Sequence, residues 1–280
     1  HQSGSCPRLC QNLHFPQTFL WWANPAVVVN DHYHSVFPPD VNAVFDHGKR
    51  DVSSFPIATG VYYKQDYSAG VDISKYKNIP VPTSYMAIQS KYDFVGGYEA
   101  DVQGGLLHVA DHHVSPGKKQ WTWGNGDFGK AWDRNLTDED GPYIELMTGM
   151  YTDNQPDFSW LQPYEEKSWV QYFMPYSEVG YVKNATKDAL LNVGLKEDNA
   201  HLVLYTTGVN KDVHLLAKDI QGKILLDKII QISPADPFTV TFPATGLKEE
   251  DIQIEIRDCE GKVMLTYQAD KPEIPFSCGK

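Results

Sequence analysis

From Thr18 to Asn30 the chain reads Phe-Leu-Trp-Trp-Ala-Asn-Pro-Ala-Val-Val-Val, apolar and β-branched, with no helical period. Asn24-Pro25 interrupts it, and because proline cannot donate to a ladder the run predicts a strand broken at Pro25, or two strands. Short runs with strand patterning follow at 41–45, 61–63, 84–89, 92–95, 99–102, 105–111, 121–124, 144–148 and 168–174, with turn residues between nearly all of them. Gly96-Gly97 is expected to turn the chain between two of these strands. Residues 30–60 are rich in turn formers, and 64–82 show no sustained period and predict a long loop. The helical candidates are a short one at 128–136 and a turn near 157–161. This spacing is the all-β signature and not a βαβ one.

Near Asn184 the texture changes. Aromatics thin out, and from Ala189 to Gln268 apolar and polar residues alternate in short segments at 202–206, 213–218, 223–230, 238–242, 252–257 and 263–268. About seven strands in roughly 90 residues is the size of an immunoglobulin-like sandwich. The expected organisation is therefore an unmatched start over 1–15, a first β-domain over 16–186 and an immunoglobulin-like β-sandwich over 187–280.

The length of 280 residues suits two domains, and 41% hydrophobic with 21% charged residues is a globular composition. No apolar run approaches the roughly 20 residues that span a bilayer. The net charge of -12, with no basic cluster longer than Lys118-Lys119, repels phosphate, so nucleic acid is not an expected partner. Cys6, Cys10, Cys259 and Cys278 lack zinc-type spacing and leave the compartment open. Residues 1–14 contain no signal-peptide core. The aromatic content, 7 Trp, 16 Tyr and 12 Phe, exceeds what a core of this size needs and points to rings lining a groove.

Candidate chemistry concentrates between Gly104 and Gln155. On a strand, His108 shares a face with Leu106 and Ala110 while Asp111 points the other way. His108 and His112 would lie about 13 Å apart, too far to share one metal ion, and no metal is expected. The ordinary reading of such histidines is a hydrogen bond to backbone at a sheet end. Tyr143, Glu145 and Met147 share one strand face, where a half-desolvated carboxylate suits acid or base work. The bland alternative is a surface glutamate on the wet side of a sheet. Trp121 and Trp123, two apart, share a face and can stack on sugar rings, whereas adjacent Trp21 and Trp22 must point apart. Core packing is the default for at least two of these four. Phosphate-cradling loops, serine elbows and dinucleotide fingerprints do not occur, and no cofactor is expected.

Several pieces in one order, Thr18-Phe-Leu-Trp-Trp-Ala-Asn24, Phe37-Pro38-Pro39-Asp40-Val41, Leu107-His108-Val109-Ala110-Asp111, Pro116-Gly117-Lys118-Lys119, Trp121-Thr122-Trp123-Gly124 and Tyr143-Ile144-Glu145-Leu146, carry a resemblance over about residues 16–180. They resemble a family of uncharacterised bacterial domains with a galactose-mutarotase-like supersandwich fold, often found ahead of tetratricopeptide repeats. The resemblance implies a partial supersandwich, since the family's β-rich segment before the Trp-Trp strand is missing. It also implies a carbohydrate ligand and a tetratricopeptide-repeat region in the longer protein; the location stays open, with a periplasmic or secreted one favoured over a cytoplasmic one.

In the wider superfamily a glutamate base sits on a late strand before an Asp/Asn-rich loop, and Glu145, the loop 153–157 with Gln155, and Leu161-Gln162-Pro163-Tyr164-Glu165 look like that series. The superfamily's acid histidine has no counterpart in Trp22-Ala23-Asn24-Pro25-Ala26-Val27, which leaves His34 or His108 for that role. The function implied is a carbohydrate-active domain acting near an anomeric centre, as a glycoside hydrolase, an aldose-epimerase-like or a related sugar-converting enzyme. The alternatives are a non-catalytic carbohydrate-binding module or an assembly scaffold. Glu145, His108 and Asp111 are the expected catalytic groups, and Trp22, Asn24, His34, His113, Lys118, Trp121, Trp123, Tyr143 and Gln155 the expected sugar contacts. A hydrolase would need a second carboxylate such as Asp111 or Asp127 about 5–5.5 Å from Glu145 for retention, or about 6.5–9.5 Å for inversion.

Overall fold

The computed structural model describes residues 3–48, 50–150 and 159–270, and the architecture is all-β. Gln155 and its acidic loop lie outside the described residues, as does Cys278. Two large antiparallel sheets, with four two-stranded ones beside them, form the first half. A seven-stranded sheet runs in the order Trp21–Ala23, Tyr143–Met150, Gly117–Thr122, Thr83–Ala87, Ala43–Phe45, Val52–Ser54, with Ala26–Val28 also pairing on Tyr143–Met150. A five-stranded sheet runs Ser3–Ser5, Gln171–Ser177, Gly104–Ala110, Phe94–Glu99, Tyr33–Val36. The break expected at Asn24-Pro25 is present: both flanking strands pair with Tyr143–Met150 and the chain jogs between them.

The period of two divides each strand's residues between two environments. On the seven-stranded sheet Ile144, Leu146, Gln120 and Thr122 face inward and are buried, while Glu145 and Trp121, directly opposite each other in register, face outward and are half-buried. The inner face meets the five-stranded sheet through a layer that is partly polar. Ser35 bonds to Gln120, Gln171 Nε2 donates to Thr148 Oγ1 at 2.6 Å, and His108 lies 3.0 Å from the same hydroxyl. The other face of the five-stranded sheet presents Phe94, Tyr98, Leu107, Val109, Met174 and Tyr176 to the C-terminal part.

That C-terminal part contains two four-stranded antiparallel sheets, ordered Asn184–Ala185, Ala189–Lys196, Asn199–Thr206, Phe238–Pro243 and Ile224–Ile232, Asn210–Asp219, Ile252–Arg257, Val263–Gln268. Their inward residues, among them Leu202, Leu204, Leu215, Ile254 and Ile256, join the cluster that includes Phe94 and Leu107. The apolar core is thus continuous across the change in texture near Asn184.

Gly96-Gly97 does not turn the chain. Both residues lie inside one strand, Phe94–Glu99, paired on both sides. A Cβ on Gly97 would sit 1.7 Å from Tyr33 Oη, and one on Gly96 would sit 2.4 Å from the Leu106 carbonyl oxygen. Glycine is required because a tyrosine and a neighbouring backbone approach closely. The segment 64–82 also holds more than loop, with short strands Gln65–Asp66 and Val71–Asp72 and a 3-10 turn at Tyr76–Asn78. At the expected turn near 157–161, Ser159–Leu161 pairs as a strand with Gln17–Phe19. The α-helix, Asp127–Leu136, is where the pattern predicts it. Among the described residues no helix is long and apolar enough to cross a membrane. Cys6, Cys10 and Cys259 are free and exposed.

Candidate functional site

The outward face of the seven-stranded sheet carries a cavity of about 270 Å³ lined by Trp22, Asn24, His47, Lys119, Trp121, Trp123, Tyr143, Glu145 and Met147. Three neighbouring strands build it. Tyr143, Glu145 and Met147 come from Tyr143–Met150, Lys119 and Trp121 from Gly117–Thr122, and Trp22 from Trp21–Ala23, every one by parity. Asn24 enters from the proline break and His47 from the turn after Ala43–Phe45. Trp121 opposes Glu145 and Lys119 opposes Met147, so Lys119 and Glu145 are diagonal neighbours, a separation of roughly 7 Å in an antiparallel pair.

The charged groups in this cavity influence one another. Asn24 Nδ2 donates to Glu145 Oε2 at 3.1 Å. Burial pushes the Glu145 carboxyl up, while the Asn24 hydrogen bond and the Lys119 charge oppose that rise. Lys119 is only 2% exposed, and burial lowers its ammonium to about 8 against the pull of Glu145. Its Nζ lies 4.7 Å from the centre of the Trp22 ring and is hydrogen-bonded to His47 Nε2. His47 is lowered to about 4 by burial and by the adjacent Lys119 charge, so it is neutral and accepts from the ammonium. The result is a carboxylate and a desolvated cation in one aromatic pocket, with a neutral imidazole behind the cation. Such a set can take a proton from one substrate oxygen and give one to another.

The tryptophans form a wall and not a flat platform. Trp121 meets Trp123 edge-on at 4.6 Å, Trp123 stacks on Trp132 of the helix at 4.9 Å, and Trp123 Nε1 donates to the Tyr143 hydroxyl at 3.2 Å. Trp21 turns away from the cavity to pack edge-on against Trp169.

The cavity gathers Trp22, Asn24, Trp121, Trp123, Tyr143 and Glu145 from the residues expected of a site. It does not gather His108, which lies on the opposite side of the sheet, fully buried. His108 Nδ1 donates to the Leu146 carbonyl at 3.3 Å, leaving Nε2 to accept from Thr148, and burial lowers it to about 4. A histidine so enclosed between two sheets has no path to a ligand in the cavity. Lys118 points inward too, 1% exposed, because it is one residue out of phase with Trp121. His34 stands on the far face of the five-stranded sheet against Tyr181, in a separate cavity of about 530 Å³. Asp111 and His113 lie on the exposed turn after Gly104–Ala110, and Asp127 opens the helix; none of these lines the cavity. Glu145 is the cavity's carboxylate among the described residues, with no second one in the lining.

Met147 lines the cavity from the strand face it shares with Tyr143 and Glu145, whereas Lys119 and His47 are not singled out by the sequence pattern. Lys119 carries a usable signal, since the period of two from Trp123 and Trp121 leads to it. His47 carries none, because it reaches the site only when Ala43–Phe45 pairs with Thr83–Ala87.

A family profile described as "Domain of unknown function (DUF5107)" matches residues 10–176, and one described as "YphG-like protein, second domain" matches 184–267. Among solved structures, a TPR-domain containing protein from Parabacteroides distasonis aligns at 22% identity over 61% of this chain and 27% of that one, with a TM-score of 0.49. The Slr1438 protein from Synechocystis aligns at 12% identity over 64% and 52%, with a TM-score of 0.45. A putative aldose 1-epimerase from Klebsiella pneumoniae aligns at 11% identity over 62% and 42%, with a TM-score of 0.41. The chain spans between about a quarter and a half of the length of these structures.

Proposed function

We propose that this chain, which belongs to the family of domains of unknown function DUF5107, is a carbohydrate-active domain that interconverts the anomers of a sugar by proton transfer. The observation that carries the reading is the placement of Glu145 and Lys119 together in one tryptophan-walled cavity. Glu145 acts as base and removes the proton from the anomeric hydroxyl. Lys119 acts as acid and delivers a proton to the ring oxygen as the bond from that oxygen to the anomeric carbon breaks. The open-chain aldehyde turns its carbonyl face, and the two proton transfers run in reverse to close the other anomer. A lysine lowered to about 8 is cationic at neutral pH yet releases its proton readily, which is what this role needs. His47 holds the ammonium in place, and Asn24 orients the carboxylate.

A cavity of about 270 Å³ is at the small end for ligand sites and suits a single sugar ring packed against Trp121. Glycoside hydrolysis by two carboxylates is the weaker version, since Glu145 has no carboxylate partner among the described lining residues. A second reading from another class is a non-catalytic sugar-binding module that uses the same tryptophans. A longer protein with tetratricopeptide repeats, outside the cytoplasm, completes the proposal. The test is magnetisation exchange between α and β anomers of a panel of free aldoses with the purified chain added. Acceleration over buffer for at least one sugar supports the enzyme, and saturable binding without acceleration supports the module. A chain that neither binds nor accelerates any sugar contradicts both.

A further inference from the structure

The turn that closes the strand Gly104–Ala110 places Asp111, His112 and His113 so that one ligand atom from each lies within 4.8 Å of the others. The backbone of this turn is tied down. Val114 N and Ser115 N donate to the Asp111 carbonyl at 3.1 and 2.7 Å, and His113 N donates to Asp111 Oδ1 at 2.9 Å. The two imidazole rings stand 3.9 Å apart between centroids, tilted by 40°. A second observation is independent of that cluster. Asp93, across the sheet, accepts from both His112 N at 2.9 Å and His112 Nδ1 at 2.7 Å. A carboxylate on Nδ1 fixes the tautomer in which Nε2 keeps its lone pair. This is the outer-shell arrangement that orients metal-ligating histidines.

We infer that Asp111, His112 and His113 form a binding site for a borderline divalent transition metal such as zinc, with Asp93 as the positioning residue behind His112. Two imidazoles and a carboxylate suit zinc, cobalt or nickel better than calcium or magnesium, which prefer an all-oxygen shell. Three protein ligands leave the remaining coordination to water. This set excludes His108, which is held between the sheets by Leu146 and Thr148. The metal would fasten the connection into the strand Gly117–Thr122, which carries Lys119 and Trp121.

Isothermal titration of zinc into the metal-free full chain tests this. One zinc per chain is expected, at least tenfold weaker in both His112→Ala and His113→Ala. Asp93→Asn is expected to lose about tenfold or more through the outer shell. The side chain of His113 is 78% exposed, so its variant keeps the fold and circular dichroism should match the parent. The exposed thiols Cys6 and Cys10 are the competing zinc ligands, and Cys6→Ser with Cys10→Ser is expected to leave the affinity unchanged. No saturable binding up to millimolar zinc would overturn the inference. So would binding that survives the His112→Ala, His113→Ala double variant, or binding that disappears with the two cysteines.

Discussion

Replacing Lys119 with methionine removes a cation that the fold keeps almost out of water while retaining nearly the same chain length. Its folded-state value is about 8 against an ordinary 10.5, a difference that includes the attraction of Glu145. At roughly 1.4 kcal/mol per unit, keeping Lys119 charged at pH 7 therefore costs about 3 kcal/mol. The sign follows from proton counting. Between pH 8 and 10.5 the unfolded chain holds this proton and the folded chain does not, so stability rises with pH across that window. Below it the penalty is fully present. Lys119→Met should accordingly gain about 3 kcal/mol at pH 7 in denaturant titration, and the gain should shrink towards pH 10.5. It should also abolish anomer exchange, because the acid is gone.

Lys118 is the internal control for that experiment. It is as buried, is lowered to about 8 for the same reason, and faces the inner side of the same strand. Lys118→Met should gain comparable stability and leave exchange unchanged, since replacing a poorly paired buried charge by an apolar group of similar volume is stabilising. A Lys119→Met chain that is less stable at pH 7 would show that Lys119 is not a costly buried cation, and one that still exchanges anomers would show that it is not the acid. A Lys118→Met chain that loses activity in step with Lys119→Met would contradict the assignment of the acid to Lys119.

Further outcomes follow from the same geometry. The pH profile of exchange should be bell-shaped, with an acid limb set by Glu145, above the usual carboxylate range, and a basic limb near 8 set by Lys119; Lys119→Arg keeps the charge but does not release its proton, so it should abolish exchange as Lys119→Met does. His108, lowered to about 4 from 6.5, stays neutral when the unfolded chain takes up a proton. Stability should therefore fall as pH drops from 6.5 towards 4, and fall less steeply in His108→Leu, as read by denaturation at pH 7 and pH 5. Gly97→Ala drives a methyl into Tyr33 and should cost about 1–3 kcal/mol or more in thermal denaturation. Trp121→Ala should weaken sugar binding at least tenfold in a titration if the indole opposite Glu145 packs on the ring.

The all-β class and most of the strands are legible because alternation is a local signal. It even assigns Trp21 and Trp22 to opposite environments and puts Tyr143 and Glu145 on one face. Local pattern fails where a distant residue decides. Gly96-Gly97 reads as a turn until Tyr33 is seen to fill the space above it. His108 reads as a site residue because the superfamily's acid histidine has no counterpart in the 22–27 stretch and His108 is left for that role, yet the second sheet closes over it and Thr148 takes its lone pair. The choice between Lys118 and Lys119 is a one-residue question of phase. Applied from Trp121, the period of two answers it from the sequence; applied to the lysine pair as a motif, it does not. His47 depends on a pairing between strands some 40 residues apart in the chain and could not have been read locally.

If Glu145 transfers a proton from the sugar and does more than hold it, catalysis and binding separate at this residue. Glu145→Gln keeps the shape of the side chain and the space it fills while removing the base. Exchange rate and sugar affinity should be measured together on this variant and its parent. Exchange should fall at least a hundredfold while affinity stays within about twofold. A variant that exchanges anomers at the parent rate, or one whose rate falls only as far as its affinity does, would contradict it.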